Sequence, residues 1–151
     1  MAISIERVTE HNVDELIQML LDLARYEQLR GPDEDAQKRL RSDVVGPNPR
    51  YEGYLAVADD EIAGYLTCYE AYSTFLAMPT LFLEDIFVVE RLRRRGVGQR
   101  LFDFCVGTAK ERGCGRVEWQ ALRWNEPAIR FYEKNGAKLL DDYAWWVLPV
   151  R

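Results

Sequence analysis

Three short stretches of this chain hold side chains suited to chemistry. Glu84 and Asp85 are adjacent acids inside the apolar run 81–89. Acids so placed either bond to nearby backbone and arginines or hold a cation and take its proton, and the residue types leave both open. Arg93, Arg94, Arg95, Gly96, Val97 and Gly98 follow that run and open an amphipathic stretch, in the pattern R-x-x-G-x-G. A glycine loop at a helix start offers backbone N–H groups and the positive end of the helix to an anion. Without a Cβ in the way, phosphate oxygens can approach the backbone closely. The third stretch holds Tyr132, which is either an aromatic packed beside Phe131 or a phenol of pKa about 10 able to give up a proton.

Other chemistries fail simple tests. A cysteine nucleophile needs a histidine partner, and the only histidine is His11, beside a helix start. No cysteine–histidine spacing fits zinc, so no metal is expected. The glycine loop lacks the lysine of a nucleotide P-loop. The arginines would suit nucleic acid, but the net charge of −5 argues against broad nucleic-acid binding. No run reaches the roughly 18 apolar residues that span a bilayer, and the N-terminus has no signal-peptide pattern. Cys68, Cys105 and Cys114 are scattered, which predicts free thiols in a cytoplasmic setting.

The elements that must position these residues are legible from periodicity. At 151 residues the chain predicts one domain with a sizeable core. Residues 3–8 predict a strand. Val13, Leu16, Ile17, Leu20, Leu21 and Ala24 recur at helical spacing. Pro32 and Asp33 start a more polar helix running to Val44. Residues 53–58 and 62–72 flank Asp59-Asp60-Glu61 as a hairpin, and 73–79 is a loop. Residues 81–89, apolar on both faces, predict a central strand whose alternation sends Glu84 and Asp85 to opposite faces. Val97, Leu101, Phe104, Cys105 and Thr108 give a helix closed by Gly113. A strand over 116–122 follows, then a helix capped by Asn125 with Pro127 in its first turn. Two final strands are expected over 137–140 and 144–148. The order β-α-α-β-β-β-α-β-α-β-β predicts a mixed α/β sheet with helices on both faces.

This order, with the R-x-x-G-x-G loop, resembles the GNAT acyltransferase fold over nearly the whole chain. Residues 83–88, 124–132 and 135–137, with 23–27 near the N-terminus, are similar to the spermidine/spermine (diamine) acetyltransferase subfamily. The resemblance implies a homodimeric N-acetyltransferase that moves acetyl from acetyl-CoA to a small-molecule amine in a ternary complex. It implies Glu84 as base or amine-orienting group, with Asp85 beside it, and Tyr132 as the acid that protonates the leaving thiolate. It implies cofactor contacts from Ile86, Phe87, Val88, Arg93, Arg94, Arg95, Gly96, Val97, Gly98, Gln99, Asn125 and Ala128. The backbone of residues 86–88 would pair with the pantetheine arm as an added strand does. Position 128 is alanine where the mammalian polyamine enzymes have serine, so one hydroxyl contact is missing. Tyr26 and Glu27, otherwise plain helix-end polarity, would lie at the amine site, with Glu27 on a distal ammonium. Trp119 and Trp124 either wall that site or fill the core.

Polyamines and diamines are the first expectation for the acceptor. Thialysine, another amino-acid-like amine or a peptide amine is the second. A reading of another class, a non-catalytic acyl-CoA-binding sensor, is disfavoured by Glu84 and Tyr132.

Overall fold

The computed structural model describes all residues, Met1–Arg151. Strand β1 (Ile3–Arg7) leads into helices α1 (Val13–Tyr26) and α2 (Glu34–Val44). Strands β2 (Glu52–Ala58), β3 (Glu61–Ser73) and β4 (Met78–Val88) follow, then α3 (Val97–Glu111), β5 (Arg116–Glu118) and α4 (Glu126–Lys134). The chain divides into two compact units, Met1–Trp119 and Gln120–Arg151. No helix is long and apolar enough to cross a membrane, and the three cysteines are free.

The first unit is a five-stranded sheet in the order β1-β2-β3-β4-β5, antiparallel through β4 and parallel between β4 and β5. The β2–β3 turn places Asp59 and Asp60 at φ +50° and +64°, the backbone hand that suits the twist of a tight hairpin. Helix α1 ends over the face that carries Tyr65 and Phe87. The Tyr26 ring lies 6.2 Å from Phe87, which pairs with Tyr65 across β3 and β4. Helix α3 covers the opposite face, where Phe104 packs 4.7 Å from Tyr54. Leu16, Leu55, Leu66, Leu81, Leu83 and Leu101 are buried between these layers.

Element bounds differ from expectation where pairing decides them. Met78 and Pro79 extend β4, because they pair with Ser73 and Tyr72 of β3. Strand β5 stops at Glu118, short of residue 122. In the second unit, α4 begins at its Asn125 cap and ends before Gly136, whose φ of +87° closes the helix. The two expected strands over 137–140 and 144–148 do not form. Leu139, Leu140, Trp146 and Leu148 are exposed there. Alternating apolar residues become a strand only when another strand supplies the hydrogen bonds.

Candidate active site

The acid pair sits at an irregularity in β4. Thr67 lies opposite Asp85 and Cys68 opposite Leu83, so Glu84 has no cross-strand partner. One extra residue on one strand is a bulge, and a bulge re-aims side chains. The expected separation of Glu84 and Asp85 onto opposite faces is therefore corrected. The Glu84 charge reaches Asp85 and also Tyr65 and Tyr69, which alternate on the face shared by Thr67 and Asp85.

Asp85 accepts a hydrogen bond from the Thr67 hydroxyl at 2.6 Å through Oδ2. Burial pushes its carboxyl up to about 6, against the Thr67 bond, and the nearby charges of Glu84 and Glu27 add to the rise. Glu27, the residue after α1, is also raised by burial. On the same face as Thr67 and Asp85 stands Tyr65, wholly buried, with a hydroxyl that has no hydrogen-bond partner. Burial first, then the charges of Asp85, Glu27 and Glu84, hold that phenol well above its ordinary value.

Arg93 links this cluster to the glycine loop. Its Nε donates to the Val88 carbonyl at 2.9 Å. Its guanidinium stands 4.6 Å from the Tyr26 ring and 5.4 Å from Phe87, cation over ring. The Arg93 side chain is thus turned to the acid face, while Arg94 and Arg95 are exposed. Gly96 adopts φ +86°, a left-handed turn that favours glycine, and α3 starts at Val97. No side chain caps α3, and its first turn carries no acid. The N–H groups and the positive helix end are therefore not neutralised by the helix itself. Gln99 Nε2 donates along the helix to Asp103 Oδ1 at 2.9 Å.

Gly98 is informative because the fold does not demand it. A Cβ there would meet only Val88 Cγ2, at an ordinary contact distance of 3.7 Å. A glycine that packing does not require fits a loop that a phosphate must approach. Strand β4 adds a second fitting feature. It pairs with β5 only over Thr80, Leu81 and Phe82, so Ile86, Phe87 and Val88 have a ladder on the β3 side alone. A pyrophosphate with an extended amide-bearing arm matches this loop and strand edge.

The second unit holds the remaining expected residues. Asn125 Oδ1 accepts from the Ala128 backbone N–H at 3.4 Å and so caps α4. Tyr132 lies on α4, partly exposed, edge-on to Phe131 at 5.7 Å. The end of the helix is tied by Asn135 Nδ2 donating to the Phe131 carbonyl at 2.9 Å, and by the Ala137 N–H to that of Tyr132 at 3.1 Å. Trp124 is 52% exposed, which excludes a core role for it. In the first unit Trp119 packs edge-on against Phe102 at 5.5 Å.

The structure thus brings Tyr26, Glu27, Glu84, Asp85 and Arg93 to one face of the first unit. It adds Tyr65 and Thr67, which the sequence reading did not single out. The signal was present: Tyr65, Thr67 and Tyr69 place polar tips at every second residue of β3, the first two within its buried stretch.

Comparison with known proteins gives the family. Residues 13–137 match the Acetyltransferase (GNAT) family, and the chain belongs to that family. It is an acetyltransferase, of a family that uses acetyl-CoA as cosubstrate and transfers acetyl to amines. It is similar to a thialysine N-epsilon-acetyltransferase of Caenorhabditis elegans, 32% identical over 83% of this chain and 77% of the relative. It is also similar to the L-ornithine N5-acetyltransferase NATA1 of Arabidopsis thaliana, 39% identical over 67% of this chain and 45% of that protein. The fold matches the integron cassette protein VCH_CASS6 from the mobile metagenome of V. cholerae. There the TM-score is 0.83 at 24% identity, covering 99% of this chain and 93% of the other.

Proposed function

We propose that residues 1–151 act as one catalytic domain that acetylates the primary amine of a small acceptor bearing a second cationic nitrogen. Diamino acids of the ornithine and thialysine kind stand ahead of polyamines. The observation that carries this reading is the gathering of Glu27, Glu84 and Asp85 on one face, with Arg93 at Tyr26 beside them. Carboxylates suit two ammonium groups. A guanidinium suits the carboxylate that a diamino acid has and a polyamine lacks. This position of Arg93, with the thialysine and ornithine relatives, supports ranking the second expectation from sequence ahead of the first.

Acetyl-CoA supplies the acetyl thioester. Gly96, Gly98 and the start of α3 would hold its pyrophosphate, with Arg94 and Arg95 alongside. The edge of β4 over Ile86, Phe87 and Val88 would hold its pantetheine arm. An alkyl ammonium of pKa about 10.4 is almost wholly protonated at pH 7, so the amine needs a proton acceptor before it can attack. Glu84 is assigned that role. The nitrogen then bonds to the acyl carbon as the carbon–sulfur bond breaks, the Tyr132 hydroxyl gives a proton to the sulfur, and the second proton lost by the acylated nitrogen passes through solvent to restore the phenol. Asn125 and Ala128 support the cofactor side from the start of α4.

The deciding experiment supplies purified protein with acetyl-CoA and ornithine, thialysine, spermidine, putrescine or a monoamine, and reads released thiol. Turnover is expected to rank the diamino acids first and the monoamine last. Preference for spermidine would restore the polyamine order. Turnover of monoamines alone would discard the dication reading while leaving acetyl transfer intact. The homodimer that the resemblance implies is read separately by sedimentation, as a species of about twice the 17.6 kDa chain.

A further inference from the structure

The Tyr65 hydroxyl is a buried side-chain oxygen with no hydrogen-bond partner. Buried polar groups are almost always matched, because an unmatched one loses its water and gains nothing. An orphan of this kind calls for an explanation. Packing alone gives none, since the residue is fully enclosed at 0% exposure and sits in the middle of β3.

Its surroundings point to a ligand. Tyr65 and Thr67 lie opposite Phe87 and Asp85, on one face of the β3–β4 pair. The end of α1 covers that face, with Tyr26 6.2 Å from Phe87 and Tyr65 6.3 Å from it. Asp85 already uses Oδ2 to accept from Thr67 at 2.6 Å. A carboxylate has further acceptor sites, and a phenol oxygen accepts as well as donates. The cluster therefore offers more acceptor sites than donors, and the Tyr65 O–H can turn to a carboxylate while its oxygen accepts. An alkyl ammonium brings three donors and no acceptor, which suits those acceptor sites.

Resting on the acceptor reading above, we propose that Tyr65 is a specificity-determining residue whose hydroxyl accepts a hydrogen bond from the non-reacting ammonium of the acceptor. Asp85 and Glu27 share that ammonium, and Glu84 is left for the reacting amine. Thr67 acts through Asp85 and is a positioning residue.

Tyr65→Phe keeps the ring and removes only the oxygen. The expected result has two parts. The melting temperature of the free protein stays level or rises, because an unmatched buried atom is gone. The KM for ornithine and for 1,3-diaminopropane rises about tenfold, the size of one lost hydrogen bond to a charged group, and rises far less for a monoamine of similar length. The kcat for the diamines and the KM for acetyl-CoA stay close to wild type. Thermal stabilisation by ornithine without acetyl-CoA is weakened in the same variant. A lower melting temperature with unchanged KM values would show that the hydroxyl is bonded within the fold, and would overturn the proposal. An equal rise in KM for monoamine and diamine would overturn it too. Thr67→Val gives an independent arm, in which the same diamine-selective loss is expected and equal losses count against the assignment. A wild type that turns over no amine defeats the acceptor reading and this inference together. Wild-type turnover of diamines with Tyr65→Phe unchanged defeats this inference alone.

Discussion

At the scale of single residues, one bulge decides the chemistry of the acid pair. Glu84 has no partner across β3, and its charge bears on Asp85, whose carboxyl burial already pushes up to about 6. A carboxyl whose value rises on folding favours the folded state while it is neutral. Its contribution is complete below the unfolded value and is lost as pH rises through about 6. Asp85→Asn, which stays neutral, should therefore gain melting temperature relative to wild type as pH goes from 4 to 7. Scans at both ends of that range test this, and a constant difference would show that Asp85 does not titrate on folding. Tyr132 carries the second prediction at this scale. Tyr132→Phe removes the proposed proton donor and keeps the ring against Phe131. A fall in kcat of about a hundredfold is expected, typical of a lost general acid, with acetyl-CoA binding little changed. Full activity would return Tyr132 to a packing role.

Elements set where the cofactor can lie. Helix α3 begins with glycines of two kinds. Gly96 is fixed by its backbone at φ +86°, and any side chain there is strained. Gly98 is free of such strain and nearly free of neighbours. Gly98→Val should thus leave the fold standing while its side chain blocks the approach to the loop. The melting-temperature rise that CoA gives the wild type by binding the folded form should be lost in this variant. Retained stabilisation by CoA would assign the loop another task. The element reading from sequence was sound where the signal was local. Helices α1 and α3 follow apolar periodicity, and the Asn125 cap of α4 and the glycine stops at 113 and 136 mark helix ends as expected. It failed at β5 and over 137–148, because strand extent depends on a partner that the segment does not contain.

For the whole molecule, what matters is where the charge is gathered. The net charge of −5 is spread over the chain, while Glu27, Glu84 and Asp85 concentrate acid on one face of the sheet. A dicationic acceptor should be drawn to that face through a field that salt screens, with a Debye length of about 10 Å at 0.1 M. The kcat/KM for a diamine should therefore fall between 20 and 300 mM salt more steeply than for a monoamine. Parallel falls for both would leave the acid face without a part in acceptor choice. Acetyl transfer itself belongs to the family, so it stands apart from this test.

The sequence by itself determined the mixed α/β class, the helices and their caps, the glycine loop between a central strand and a helix, and the candidate acids and tyrosine. Each rests on residues within a few positions of one another, where periodicity, caps and backbone preference act. The tertiary structure alone decided the β4 bulge that joins Glu84 to Asp85, the Thr67–Asp85 bond, the turn of Arg93 toward Tyr26 and the enclosure of the Tyr65 hydroxyl. Those facts depend on cross-strand register and on what α1 lays over the sheet, and a one-residue shift in register would undo them.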